Sequence, residues 1–168
     1  MKFIKSFAIG VAAALATATP SLAKVDEGTP GLLKALQENG IQVLINSNHC
    51  NGTIHGSYRT VSMKRTMVLC PGSSVDAIDH ATVRHEAAHA VQHCVNHHRG
   101  TSRFTPIVDD IDALAAHVNE GVPKDVIDFI KANYPQKHWF VEFEAAYIER
   151  NITAAQVEQW VRKSCGGE

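Results

Sequence analysis

The chain has no run of basic residues, no internal repeat and no low-complexity tract. Its formal net charge of −1 over 168 residues is too mild to attract a nucleic acid or an anionic surface. Beyond the first 23 residues nothing is long or apolar enough to cross a bilayer, which takes ~20 consecutive apolar residues. These absences exclude a nucleic-acid-binding protein, a repeat array and an integral membrane protein.

The opening residues read as an export signal rather than as fold. Lys2 and Lys5 form a basic start, residues 7–16 are apolar and alanine-rich, and Pro20-Ser21-Leu22-Ala23 offers the small residues a signal peptidase needs. The apolar run is too short for an anchor, so cleavage is expected after Ala23. Removal of 23 residues from 168 leaves about 145, the size of one domain with one core. Loss of the two lysines takes the charge from −1 to about −3.

An exported chain with four cysteines reads as a disulfide protein rather than one with buried thiols. Cys50, Cys70, Cys94 and Cys165 allow three connectivities, and the sequence does not choose among them. Cys50–Cys70 within a β-rich segment and Cys94–Cys165 between two helices is the preferred pairing. Asn51-Gly52-Thr53 and Asn151-Ile152-Thr153 match the glycosylation acceptor pattern, a weak signal in bacterial-type export.

Along the chain, Thr29-Pro30 opens a short helix over residues 31–38 that stops at Gly40. Residues 41–45, 53–60 and 66–70 read as strands, with residues 62–65 as a polar turn and Pro71-Gly72 ending the sheet. A capping arrangement at residues 73–76 begins a helix running to about His98. Later helices are expected from Thr105-Pro106 to about Glu120, from Pro123 to before Pro135, over residues 136–150, and from Thr153 to about Ser164. The fold class is α+β: a small N-terminal β-sheet followed by a mainly helical part.

His85-Glu86-Ala87-Ala88-His89 states a chemistry. Histidines four apart on a helix point the same way and can grip one Zn²⁺, and the glutamate after the first lies beside the metal's open position. With 10 His in the chain a chance match has to be weighed. The helix periodicity opposes that reading. Val83, Ala87, Val91, Cys94 and Val95 mark the packing face, and at ~100° per residue His85, Glu86 and His89 fall roughly opposite. Ala87, Ala88 and Ala90 leave room for close neighbours.

Catalytic zinc needs a third protein ligand. A histidine six residues past His89 is ruled out by Val95, with Gln92 where a glycine turn would stand. His93 lies ~6 Å further along a straight helix and cannot easily share the metal. His93 and His97 are expected around the site or on the surface.

The remaining candidates lie in Trp139-Phe140-Val141-Glu142-Phe143-Glu144-Ala145-Ala146-Tyr147. Glu142 and Glu144 stand ~200° apart on a helix, so only one can face the metal, and periodicity leaves the choice open. Over residues 54–150 the chain resembles the gluzincin class of zinc metallopeptidases, in which HExxH is completed by a glutamate on a later helix. The form is closest to the Glu-Phe-x-Ala-Asp of membrane zinc peptidases of the prenyl-protein-processing and heat-shock type. That resemblance implies a zincin-like fold with HExxH on a central helix. It also implies Glu142 as ligand, Ala145 as the small residue at a tight helix crossing, and an edge strand over residues 66–70 that pairs with extended substrate. The chain departs from the pattern at Ala146, where the family has aspartate, and lacks the family's membrane helices.

The expected activity is hydrolysis of a peptide or protein substrate by an exported monomer, with Zn²⁺ held by His85, His89 and Glu142 and with Glu86 moving protons. Tyr147, Tyr134 and His138 are the candidate oxyanion donors, Tyr147 first among them. A non-catalytic zinc-buffering protein is the alternative, drawing on His80, His93, His97, His98 and His117. A degenerate peptidase fold serving as a binding module is a third reading, opposed by the intact motif.

Overall fold

Pro30 sits in the first turn of α1 (Thr29–Glu38), where its missing N–H costs nothing. Gly40, at φ 74°, then turns the chain into β1 (Ile41–Ile45). The computed structural model describes residues 28–45, 48, 50, 55–61, 64–70, 79–101 and 104–166. The export signal, the first glycosylation pattern and the cap at residues 73–76 lie outside the described residues.

β2 (Gly56–Val61) and β3 (Lys64–Leu69) pair antiparallel from Gly56↔Leu69 to Val61↔Lys64. β1 lies parallel on the other side of β3, from Ile41↔Arg65 to Ile45↔Leu69, so the order is β1-β3-β2. This overturns the expectation of an edge strand at residues 66–70. With a neighbour on each side, β3 is the middle strand, and Met67, Val68 and Leu69 are buried. Among the described residues the edges are β1 and β2.

α2 (His80–His98) begins later than the sequence suggests, because Asp79 caps it by accepting from the Ala81 and Thr82 amides at 3.1 and 3.3 Å. The expected stripe of Val83, Ala87, Val91 and Cys94 is buried, but so are Ala88, Ala90, Gln92 and Asn96. α2 is therefore covered on most sides: by the sheet, by α5 (Trp139–Asn151) and by α6 (Ala154–Cys165). The side bearing His85 and His89 is partly covered by α5, which leaves the two side chains 20% and 12% exposed.

α3 (Ile111–Gly121) also starts later than Thr105-Pro106 predicts. The Ile107 and Val108 amides donate to the Glu144 carboxylate at 2.7 and 2.9 Å, and Asp110 caps the helix instead. α4 (Lys124–Asn133) follows Pro123, a short 3₁₀ turn (Gln136–His138) leads into α5, and Thr153 with Gln156 forms the expected capping box of α6. Both preferred disulfides are present: Cys50–Cys70, and Cys94–Cys165, which ties α2 to α6. Among the described residues no helix is long and apolar enough to cross a membrane.

Candidate metal centre

Two turns of α2 and one of α5 converge on a point. His85 Nε2 lies 3.5 Å from Glu142 Oε2, and His89 Nε2 lies 3.6 Å from the same oxygen. The three ligand atoms stand within 4.8 Å of one another. Hydrogen bonds of this kind would be ~2.7–3.2 Å. Atoms bound at ~2.0–2.1 Å to a tetrahedral ion stand ~3.3–3.4 Å apart, which is the nearer match. These residues could hold a metal ion.

Burial makes the charges count. Burial works against a proton on His85, but Glu142, Glu149 and Glu86 outweigh it and push its pKa up to about 10. Burial likewise opposes ionisation of Glu142, yet His85 and His89 hold its carboxyl down to about 2. Two imidazoles facing three carboxylates favour a cation at this point, and the same field would hold a divalent ion.

Each histidine is held through its other nitrogen. His85 Nδ1 is 3.0 Å from Glu149 Oε2, which makes the carboxylate–histidine pairing common around bound metals. Burial opposes the Glu149 charge, but His85 and then Arg150 lower its pKa. The buried Arg84 donates from Nε to the Glu149 backbone carbonyl at 2.9 Å, fixing α5 against α2 there. His89 Nδ1 is 2.8 Å from Gln92 Oε1.

Glu142 and Glu144 have separate places. Glu144 is 2% exposed, and its oxygens accept from Ile107 N, Val108 N and Gln92 Nε2. Burial pushes its carboxyl up against the pull of those three donors. It anchors the chain between α2 and α3, while Glu142 supplies the ligand atom.

Glu86 is 6% exposed, and burial raises its pKa, with His89 and His85 opposing and Glu142 adding. The Tyr58 N–H of β2 donates to it. Cys70 N donates to His55 O, so alternate β2 groups from His55 onward face β3, and those of Tyr58 face the other way, towards α2. Gly56 makes this approach possible. A Cβ there would lie 2.9 Å from Glu86 Cγ and 2.6 Å from Thr82 Cγ2. Sequence reasoning missed Gly56, Glu149 and Gln92, and only the direction of Glu149 on its helix was available as a signal.

The three candidate oxyanion donors separate. Tyr147 stands away from the ligands, its ring 5.5 Å from His117 and filling the space left by Gly121. Burial and Glu120 raise its pKa. Five residues from Glu142 on a helix is ~140° of rotation, which turns Tyr147 to another side. Tyr134 is the tyrosine within the site's field, its pKa raised by burial, Glu142 and Glu86. His138 stands at the N-cap position of α5, one turn before Glu142, and makes no side-chain capping hydrogen bond.

The surplus histidines do not assemble a second site among the described residues. His80 Nδ1 meets Thr29 Oγ1 at 2.8 Å, His98 Nε2 donates to the Ser164 carbonyl at 2.7 Å, and His93 packs against Tyr58 and Phe104. His85, His89 and Glu142 form the one group of three or more ligating side chains among the described residues. No protein-family model matches the chain, and no curated protein or solved structure matches it either.

Proposed function

We propose that the chain is an exported zinc-dependent peptidase of the gluzincin type, hydrolysing peptide bonds. The observation that carries this reading is the buried Glu86 carboxylate beside the His85–His89–Glu142 cluster. A buffer or carrier needs ligands alone, whereas a buried carboxylate next to them suits proton transfer. Two disulfides accord with an oxidising compartment.

Zinc would supply Lewis acidity and draw the pKa of water at the site towards ~7. Glu86 takes a proton from the attacking water and returns it to the leaving amine. The Tyr58 N–H holds that carboxylate in place from β2. Tyr134 donates to the developing oxyanion, taking the part first assigned to Tyr147.

The test is metal analysis of the purified protein together with hydrolysis of a peptide mixture. The wild type is expected to carry zinc and to cleave, and Glu142→Ala to lose the metal. Glu86→Gln should keep zinc while the rate falls about 10²–10⁴-fold. A wild type without zinc would end the proposal, and full activity in Glu86→Gln would remove the role given to that residue.

A further inference from the structure

We propose that Gln92 is a positioning residue that fixes the tautomer of His89 and thereby the affinity for metal. The inference rests on the metal-site reading above. It begins from donor and acceptor accounting around one buried amide. Gln92 is fully buried. Its Nε2 lies 3.0 Å from the Val141 carbonyl and 2.8 Å from Glu144 Oε2. Both of those partners only accept, since Glu144 is itself already receiving the Ile107 and Val108 amides. The NH₂ end of Gln92 must therefore face α5, because turning the amide over would set oxygen against two oxygens.

That orientation leaves Oε1, an acceptor, 2.8 Å from His89 Nδ1. A neutral imidazole meets an acceptor there only by carrying its proton on Nδ1. Nε2 is then unprotonated, with its lone pair on the side of Glu142 Oε2, 3.6 Å away. His85 Nδ1 is held by a different kind of partner, the carboxylate of Glu149 at 3.0 Å. One ligand is oriented by a charge and the other by an amide whose direction is set by the next helix. Val141 and Glu144 flank Glu142, so the turn of α5 that delivers the third ligand also prepares the second.

Gln92→Met and Gln92→Glu separate positioning from packing. Both remove the Nε2 amine, but a glutamate that keeps its proton can donate it towards Val141 O or Glu144 and still present its other oxygen to His89. The readouts are the ¹⁵N imidazole spectrum of the metal-free protein and the zinc Kd from chelator competition. Metal-free wild type should show the neutral His89 ring protonated on Nδ1. Gln92→Met should shift it towards the Nε2–H form and weaken zinc about 10–100-fold. Gln92→Glu should keep both the tautomer and an affinity near that of the wild type. An Nε2–H ring in the wild type, an unchanged Kd in Gln92→Met, or equal losses in the two variants would each overturn the proposal. The wild-type spectrum decides even if Gln92→Met does not fold. A wild type that binds no zinc yet shows the Nδ1–H ring would instead count against the metal-site reading alone.

Discussion

The apolar residues divide between two cores of unequal size. In the larger, Leu32, Leu36, Ile41, Met67, Val91 and Val161 pack between α1, the sheet, α2 and α6, and the buried Cys94–Cys165 bridge runs through it. In the smaller, Leu114, Val118, Val122 and Ile130 of the α3–α4 region meet Phe143 and Ala146, with no disulfide among them. Phe129 and Phe140 remain exposed there, and a depression of about 90 Å³ opens between α3, α4 and α5. α5 belongs to both, giving Ala145 and Ile148 to the first core and Phe143 and Ala146 to the second. The histidines ride on the large core and Glu142 on the shared helix, so the cluster that could hold a metal lies on the seam.

The largest effect expected is on the cross-link of the large core. Cys94–Cys165 closes a loop of 71 residues, for which the chain-entropy argument gives ~4 kcal/mol. The double variant Cys94→Ser, Cys165→Ser should lose about that much in a guanidinium melt, and a loss below about 1 kcal/mol would mean that the core holds α6 unaided. Cys50–Cys70, separated by 20 residues, should contribute ~3 kcal/mol by the same argument.

The same substitution in each core compares them directly. Leu36 and Leu114 are 0% and 1% exposed, so burial does not distinguish them. Leu→Ala at such sites costs ~2–5 kcal/mol, less where the surroundings can close in. Leu36→Ala, in the larger and cross-linked core, should cost about 3–4 kcal/mol. Leu114→Ala, in the smaller core whose Val118 and Phe143 line the depression, should fall near the lower end of the ~2–5 kcal/mol range. Equal losses in denaturant melts would erase the distinction between the cores.

What the sequence disclosed follows the range of the contacts involved. His85, Glu86 and His89 were readable because one helix carries them, and Thr153 with Gln156 because a capping box is local. Glu142 needed a family resemblance. Gln92 and Glu149 act across the gap between α2 and α5, with partners 49 to 64 residues away in sequence, and no periodicity encodes that. The start of α3 was misplaced because the local signal at Thr105-Pro106 lost to the distant Glu144 carboxylate. β3 was taken for an edge because β1 returns to it in parallel, a pairing no turn announces. Tyr147 and Tyr134 were alike by residue type, and the phase of α5 sets Tyr147 against His117.

The smallest effect on stability should be the most instructive about the seam. Gly56 belongs to β2, on the large-core side, and a Cβ there would meet Thr82 and Glu86 before any of the three candidate ligands. A methyl at that position meets Thr82 Cγ2 at 2.6 Å and Glu86 Cγ at 2.9 Å, both nearer than side chains tolerate. Thr82 and Glu86 are on α2, so relief comes from β2 backing away or from the Glu86 side chain turning. Either movement breaks the contact with the Tyr58 N–H. Gly56→Ala should cost only about 1–2 kcal/mol in stability, since overpacking by one methyl is a modest strain. Hydrolysis should fall far more, about 10²-fold, because a displacement of ~1 Å at a reacting group has that effect. Zinc content should stay unchanged, because His85, His89 and Glu142 are fixed by the contact of α2 with α5 rather than by β2. Activity lost with zinc retained would mean that the sheet places the base and the helix seam places the metal. Zinc lost along with activity would mean that the two sides deform together, and the division of labour between them would fall.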